Sequence, residues 1–285
     1  MSSLPYEIVD VFTDRPFTGN PLAVVFEARS LAGTQMQTLA REFHLSETVF
    51  VLPATEPGAT YRARIFTPEE ELPFAGHPSV GAAVTVVRRG LARAGKVVQE
   101  CGAGLLPIVV EDGTATLTGG TPTLGPVLDP GPLLAAAGLT GADLAGPAVR
   151  AAGCGLAFPY LAVRPDAVAR ARPVADAGVP AVDVFAWDPD TRTAHARVFC
   201  PGLGVPEDPA TGSAALGLGV WLVASGLLPG DGESAYTVRQ GGEIHRPSVL
   251  DATVTALDGV PVSATVTGHV VPVARGEIGI PPFVG

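Results

Sequence analysis

Residues 212–227 read GSAALGLGVWLVASGL, and residues 76–91 read GHPSVGAAVTVVRRGL. Both open on glycine, both carry glycines at offsets of 5 and 14, and both place leucine after the last one: Gly76, Gly81, Gly90, Leu91 against Gly212, Gly217, Gly226, Leu227. Ahead of each lies a second match, ARIFTP at 63–68 and ARVFCP at 196–201, followed by a proline-rich loop that is three residues longer in the later copy. An ordered set of matches of this kind predicts two related halves, each with a strand, a loop and a central helix. The two helices carry few charges and should be buried nearly all round. The inner glycines let strands come close, and Gly90 and Gly226 suit helix C-termini, where a left-handed residue is needed.

Around the helices run strand-like segments. YEIVDVF, PLAVVF, ETVFVL, LPIVVED and ATLTG belong to the first half, and PYLAVR, VDVFAW, AYTVRQ, ATVTALD and GHVVPVARGEI to the second. Strands far outnumber helices, which disfavours a doubly wound parallel sheet. The expected class is α/β (α+β), with two pseudo-symmetric halves, each a strand-rich barrel or roll around one helix. The turn-dense stretch at 119–132 is the expected join, giving halves at 1–125 and 126–285, with the last strand (about 268–285) able to pack back onto the first.

Composition narrows the function. With 285 residues, 47% hydrophobic and 16% charged, the chain can bury a large core. A formal charge of −10 argues against nucleic acid or an anionic membrane as partner. Met1 to Asp10 has no basic start followed by an apolar run, and no stretch reaches the ~20 apolar residues of a membrane span, so a cytoplasmic protein is expected. Cys101, Cys154 and Cys200 are widely spaced and read as buried, reduced thiols rather than a disulfide framework or metal knuckle. Lys96 is the only lysine and precedes a strand-like run, which sets pyridoxal phosphate aside. GLARAGKV at 90–97 has Val97 where a phosphate loop needs Ser or Thr, and it follows a helix instead of opening one.

Paired halves imply a cleft, and helix N-termini at Gly76-His77 and Gly212-Ser213 would present free amides to a carboxylate. In HLSETVFVLP, period 2 puts Glu47 on the face of Val49 and Val51. A carboxylate on an apolar face loses solvation, its pKa rises toward neutrality, and it becomes a candidate general acid or base. Beside the second helix start stand Glu207, read as a solvated neighbour, and Asp208, which can cap the helix or serve a site.

The motifs DVFTDRPFTGNPLAVV, LSETVFV, FAGHPSVGAA, EDPATGSAA and RQGGEIHRPS occur in order from about Val9 to Pro282 and strongly resemble the phenazine-biosynthesis isomerase-like (PhzF-like) proteins. The resemblance implies the diaminopimelate-epimerase fold, an active site between two halves, no cofactor, no metal and a homodimer. It implies that Glu47, as acid and base, moves a proton between carbons and so shifts a double bond in a small cyclic or unsaturated amino or carboxylic acid of secondary metabolism. His77, Asp208 and Ser213 would orient the substrate and relay protons, Gly76 and Gly212 would offer amides to its carboxylate, and Asn20 would also contact it. Related epimerases carry paired cysteines just before the helix starts, where this chain has Ala75 and Thr211, so two-thiol racemisation is disfavoured. His245 stands where the family more often has glycine. Two rivals stay open: an amino-acid epimerase with a carboxylate in place of thiols, and a non-catalytic binder of small carboxylates.

Overall fold

The computed structural model describes residues 2–175, 177–201 and 205–283. The chain forms two compact units, one of Met1–Leu117 with Gly268–Gly285, the other of Thr118–Thr267.

In the first unit, β1 (Ser3–Val11) and β2 (Asn20–Val25) pair antiparallel. The helix α1 (Gly33–Phe43) then carries the chain over to β3 (Thr48–Leu52), which lies parallel to β2. β4 (Tyr61–Phe66) pairs antiparallel with β3 and, at its far end, with the short β5 (Glu71–Leu72). The central helix α2 (Gly76–Arg88) crosses to β6 (Gly95–Cys101), parallel to β4, and β7 (Gly104–Glu111) and β8 (Thr114–Thr118) continue antiparallel. Residues 270–279 of the final strand pair with β1, and that strand also pairs with β8, closing the ring. α1 buries only Met36, Leu39 and Ala40, the one-sided stripe of a helix lying on the outside of a sheet. α2 buries every residue from His77 to Val86, because strands surround it.

Beyond an added β9 and α3 at its start, the second unit repeats this order. After β9 (Pro122–Val127) and α3 (Pro130–Ala136), β10 (Arg150–Cys154) and β11 (Leu156–Ala162) pair antiparallel, and α4 (Pro165–Arg170) leads to a parallel β12 (Val182–Asp188). β13 (Thr193–Cys200) is antiparallel to β12 and meets the short β14 (Val205–Asp208). The central α5 (Gly212–Ala224) crosses to a parallel β15 (Gly232–Gln240), and β16 (Ser248–Leu257) and β17 (Val260–Gly279) follow antiparallel. Antiparallel, parallel, antiparallel, parallel, antiparallel, antiparallel is the pairing sequence in both units. The predicted pseudo-symmetric α/β fold is the observed one. α5 is apolar all round, with Trp221 fully buried and stacked edge-on against Phe185 at 5.1 Å.

The repeated glycines do the same job twice. Gly81 and Gly217 occupy the same place in α2 and α5, and neither leaves room for a Cβ. At Gly81 it would lie 2.5 Å from Leu22 Cδ2; at Gly217 it would strike the Tyr160 hydroxyl and sit 2.8 Å from Ala152 O. Tyr160 cannot yield easily, since its hydroxyl donates to Ala214 O at 2.6 Å. Gly90 and Gly226 follow the helices at φ +73 and +71, the left-handed C-terminal position. Gly217→Ala should therefore lower stability by about 1–3 kcal/mol, although alanine is the better helix former by about 1 kcal/mol. A urea midpoint at or above wild type would show that the helix can back away from the strand.

The repeat also explains its arginines. Arg64 in ARIFTP and Arg197 in ARVFCP each make a two-pronged ion pair, to Glu71 and Glu207 respectively. The carboxylates sit at matched register, Glu71 opposite Phe66 and Glu207 opposite Phe199. Each guanidinium also lies over that phenylalanine ring, at 5.2 Å and 5.0 Å. Glu207 is thus not a solvated neighbour. Its side chain is 6% exposed and that of Arg197 7%, and Arg197 Nη1 additionally donates to the carbonyls of Val168 and Ala171. Cys154 and Cys200 are buried as expected, but Cys101 is only partly so, because it ends β6 beside the turn at Gly102. Asp183, in the core of the second unit, has its carboxyl pushed up to about 8 by burial. Among the described residues no helix is long and apolar enough to cross a membrane.

Candidate active site

In the first unit the fold brings four polar side chains into a ring. Asn20 opens β2, Ser46 and Glu47 precede the parallel neighbour β3, and His77 is the second residue of α2. Glu47 is the residue before the strand rather than part of it. Asn20 is fully buried, His77 is 6% exposed and Glu47 18%. Ser46 Oγ stands 3.5 Å from Asn20 Oδ1, and Asn20 Nδ2 stands 3.3 Å from His77 Nδ1. With its carbonyl facing Ser46, the Asn20 amide presents N–H to the imidazole, so Nδ1 accepts and the proton of the neutral ring is on Nε2. That Nε2 lies 3.5 Å from Glu47 Oε2.

Burial is the main influence on the Glu47 carboxyl and raises its pKa above the ordinary value; a hydrogen bond from Ser46 opposes this more weakly. Oε2 is buried without a hydrogen-bond partner among the described residues. An acid so placed holds its proton at higher pH than a surface glutamate and gives it up within reach of an imidazole. Ser46 is the member that sequence reasoning missed. Its signal was adjacency to Glu47, ordinary in a loop and meaningful only once β2 and β3 are seen to be neighbours.

The first turn of α2 is held by a buried polar chain. Tyr61 donates to Gln99 Oε1 at 2.9 Å, Gln99 Nε2 to Ser79 Oγ at 2.8 Å, and Ser79 Oγ to Ala75 O at 2.8 Å. The N-cap is Ala75, whose side chain cannot accept a hydrogen bond, so no side chain caps the amides that begin at Gly76.

In the second unit the N-cap of α5 is Thr211, which could cap the helix and does not. Its hydroxyl donates to Asp208 Oδ2 at 2.6 Å and accepts from Gln240 Nε2 at 3.0 Å, while Gln240 Oε1 takes the Thr211 amide at 3.1 Å. Asp208 and Thr211 are thereby fixed to each other, and the helix start at Gly212 and Ser213 is left without a side-chain cap. Gly212 is buried and Ser213 half-buried. The position matching Glu47 here, just before β12, holds the buried Ala181. His245 has φ 60, in the left-handed region that glycine adopts freely, which accounts physically for a glycine preference there; histidine is among the residues that tolerate it.

The model of the PhzC-PhzF family, phenazine biosynthesis-like proteins, matches residues 9–130 and 160–276. The chain belongs to this family. It is 35% identical to an uncharacterised isomerase of Mesorhizobium japonicum over 98% of this chain and 99% of the other. Identity to the trans-2,3-dihydro-3-hydroxyanthranilate isomerase of Pseudomonas aeruginosa is 36%, over 87% and 89%. The crystal structure of a PhzF-family phenazine biosynthesis protein of Bacillus anthracis superposes with a TM-score of 0.89 at 25% identity, covering 98% of this chain and all of that one. The structure of a protein named as a probable proline racemase, from Agrobacterium radiobacter, at 15% identity and a TM-score of 0.67, shares the fold. As a PhzF-family protein, the chain is an enzyme of the isomerase class.

Proposed function

We propose that this PhzF-family enzyme shifts a double bond in a small unsaturated or cyclic carboxylic or amino acid, with Glu47 carrying the proton. The observation that carries the reading is the desolvated Glu47 carboxyl facing His77 Nε2, in a chain that is 36% identical to a named isomerase of such an acid. In this reading Glu47 removes a proton from an activated carbon and returns it elsewhere along the conjugated system. His77, fixed by Asn20 and Ser46, keeps Glu47 oriented and shares the proton. The uncapped amides at Gly76 and Gly212 receive substrate carboxylate or developing negative charge. Asp208 and Ser213 serve as substrate-orienting groups of the second unit. A cofactor-independent, homodimeric enzyme of secondary metabolism is part of the same reading.

The test is incubation in heavy water with a panel of cyclic unsaturated amino acids, trans-2,3-dihydro-3-hydroxyanthranilate first, followed by mass and chiral analysis of the products. A shifted double bond with solvent deuterium at carbon supports the proposal. Inversion at one carbon with no bond shift would instead make the chain an epimerase, and tight binding without exchange would make it a carboxylate-binding protein. The same assay predicts a pH profile. The base must be ionised to take the first proton, so kcat/KM should fall as pH drops through the raised Glu47 pKa. That places the acid limb above the ordinary glutamate value of 4.5. A limb at or below that value would assign the base elsewhere.

A further inference from the structure

At the other end of α2 from His77, the last turn of the helix and the residue after it carry Arg88 and Arg89, and both side chains turn onto one carboxylate, Glu7 of β1. Arg88 Nη2 bonds Glu7 Oε2, and Arg89 Nη1 lies 3.2 Å from Oε1. The Arg89 guanidinium also rests on the Phe26 ring, 4.1 Å from its centroid, so two independent contacts fix it. Opposite Glu7 in the β1–β17 register is Arg275, which is exposed and whose side chain makes no ion pair or hydrogen bond among the described residues. These four side chains, with Pro272, Val273 and Ala274, line a recess of about 680 Å³.

Three guanidiniums face one carboxylate there, a local excess of two positive charges on a chain whose formal charge is −10. Cations near a helix C-terminus are ordinarily explained by the helix dipole. That accounts for Arg88 and Arg89 but not for Arg275, which sits on a strand. Glu277, two residues along β17 and so on the same face as Arg275, accepts from the Ser3 hydroxyl and does not line the recess. Glu7 holds two guanidiniums in place without neutralising the third. Planar forks held in this way suit the oxygens of phosphate or carboxylate groups.

We infer that this recess is a binding site for a small oxyanion bearing two or more negative charges, of the phosphate or polycarboxylate type. It lies outside the Glu47–His77 ring and shares no residue with it. The test titrates the full chain by calorimetry with inorganic pyrophosphate and, separately, with citrate, at an ionic strength held constant with chloride. Saturable binding of pyrophosphate alone points to a phosphate ligand, and of citrate alone to a polycarboxylate; either supports the site. Arg275→Ala should weaken the affinity by about tenfold or more, and should leave the melting temperature without ligand unchanged, because Arg275 is exposed and unpaired. Glu47→Gln should bind as wild type, which keeps this inference separable from the catalytic one. Absence of binding beyond the chloride control, or equal affinity in Arg275→Ala, would overturn the site.

Discussion

Replacing Glu47 by glutamine is expected to cut turnover and solvent-deuterium incorporation by about 10²–10⁴-fold, the usual contribution of a positioned general acid or base. Glutamine keeps the length and shape of the side chain, can still meet Ser46 and His77, and cannot ionise. The folded chain should tolerate it well. A carboxyl whose folded pKa is raised favours folding fully only below its unfolded value, and that contribution is lost as pH rises through the raised value. At neutral pH the Glu47 carboxylate therefore costs stability, and Glu47→Gln should melt at or above the wild-type temperature. Full activity in this variant would remove Glu47 from the chemistry; lost activity with lost folding would leave only a structural role for it. His77→Asn gives the graded companion result. It removes the imidazole beside Oε2, and should displace the acid limb of the pH profile as well as slow the reaction.

The second large effect concerns stability and uses the repeat as its own control. Glu207→Ala should destabilise the chain by about 3–5 kcal/mol, because it strands the Arg197 guanidinium, only 7% exposed, without a counter-charge. Glu71→Ala removes the matching carboxylate from the other copy, where Arg64 is 23% and Glu71 41% exposed. There water replaces the lost partner, and the cost should be about 1 kcal/mol or less. Two substitutions of the same kind, at the same register, should thus differ severalfold in effect, read from urea midpoints of the two variants. Equal losses would mean that burial does not set the strength of this pair. A paired replacement, Arg197→Met with Glu207→Leu, should recover most of the lost stability, since it leaves no charge behind.

Much of this architecture could be read from residues alone. The glycine spacing and the ARIFTP/ARVFCP match located both central helices and the strands before them, because close packing leaves no substitute for glycine at such contacts. Glu47 was legible as a carboxylate in an apolar strand pattern, and His77 as a residue at a helix start whose site role the family resemblance implied. Glu207 was not, and the reason is local. Glu207 and Asp208 are successive residues of β14, so their side chains leave the strand on opposite sides. One turns to Arg197 and the other to Thr211, and no property of the dipeptide says which. The helices α1, α3 and α4 were also unread. α3 and α4 have only 7 and 6 residues, too short for a helical period to stand out, and docking against the sheet settles their conformation. Ser46 needed the parallel pairing of β2 and β3, a contact between segments distant in sequence.

The alanine at position 181 carries a stereochemical consequence. The registers align it with Glu47, so the two copies differ here, one with an ionisable group ahead of its third strand and the other with a methyl. An enzyme that inverts a carbon needs one group to take the hydrogen and a second to deliver another from the opposite side. A lone carrier can only hand its hydrogen back to the surface it was taken from. In the proposed reaction, with Glu47 carrying the proton and no ionisable group at position 181, the label would travel along one face of the product.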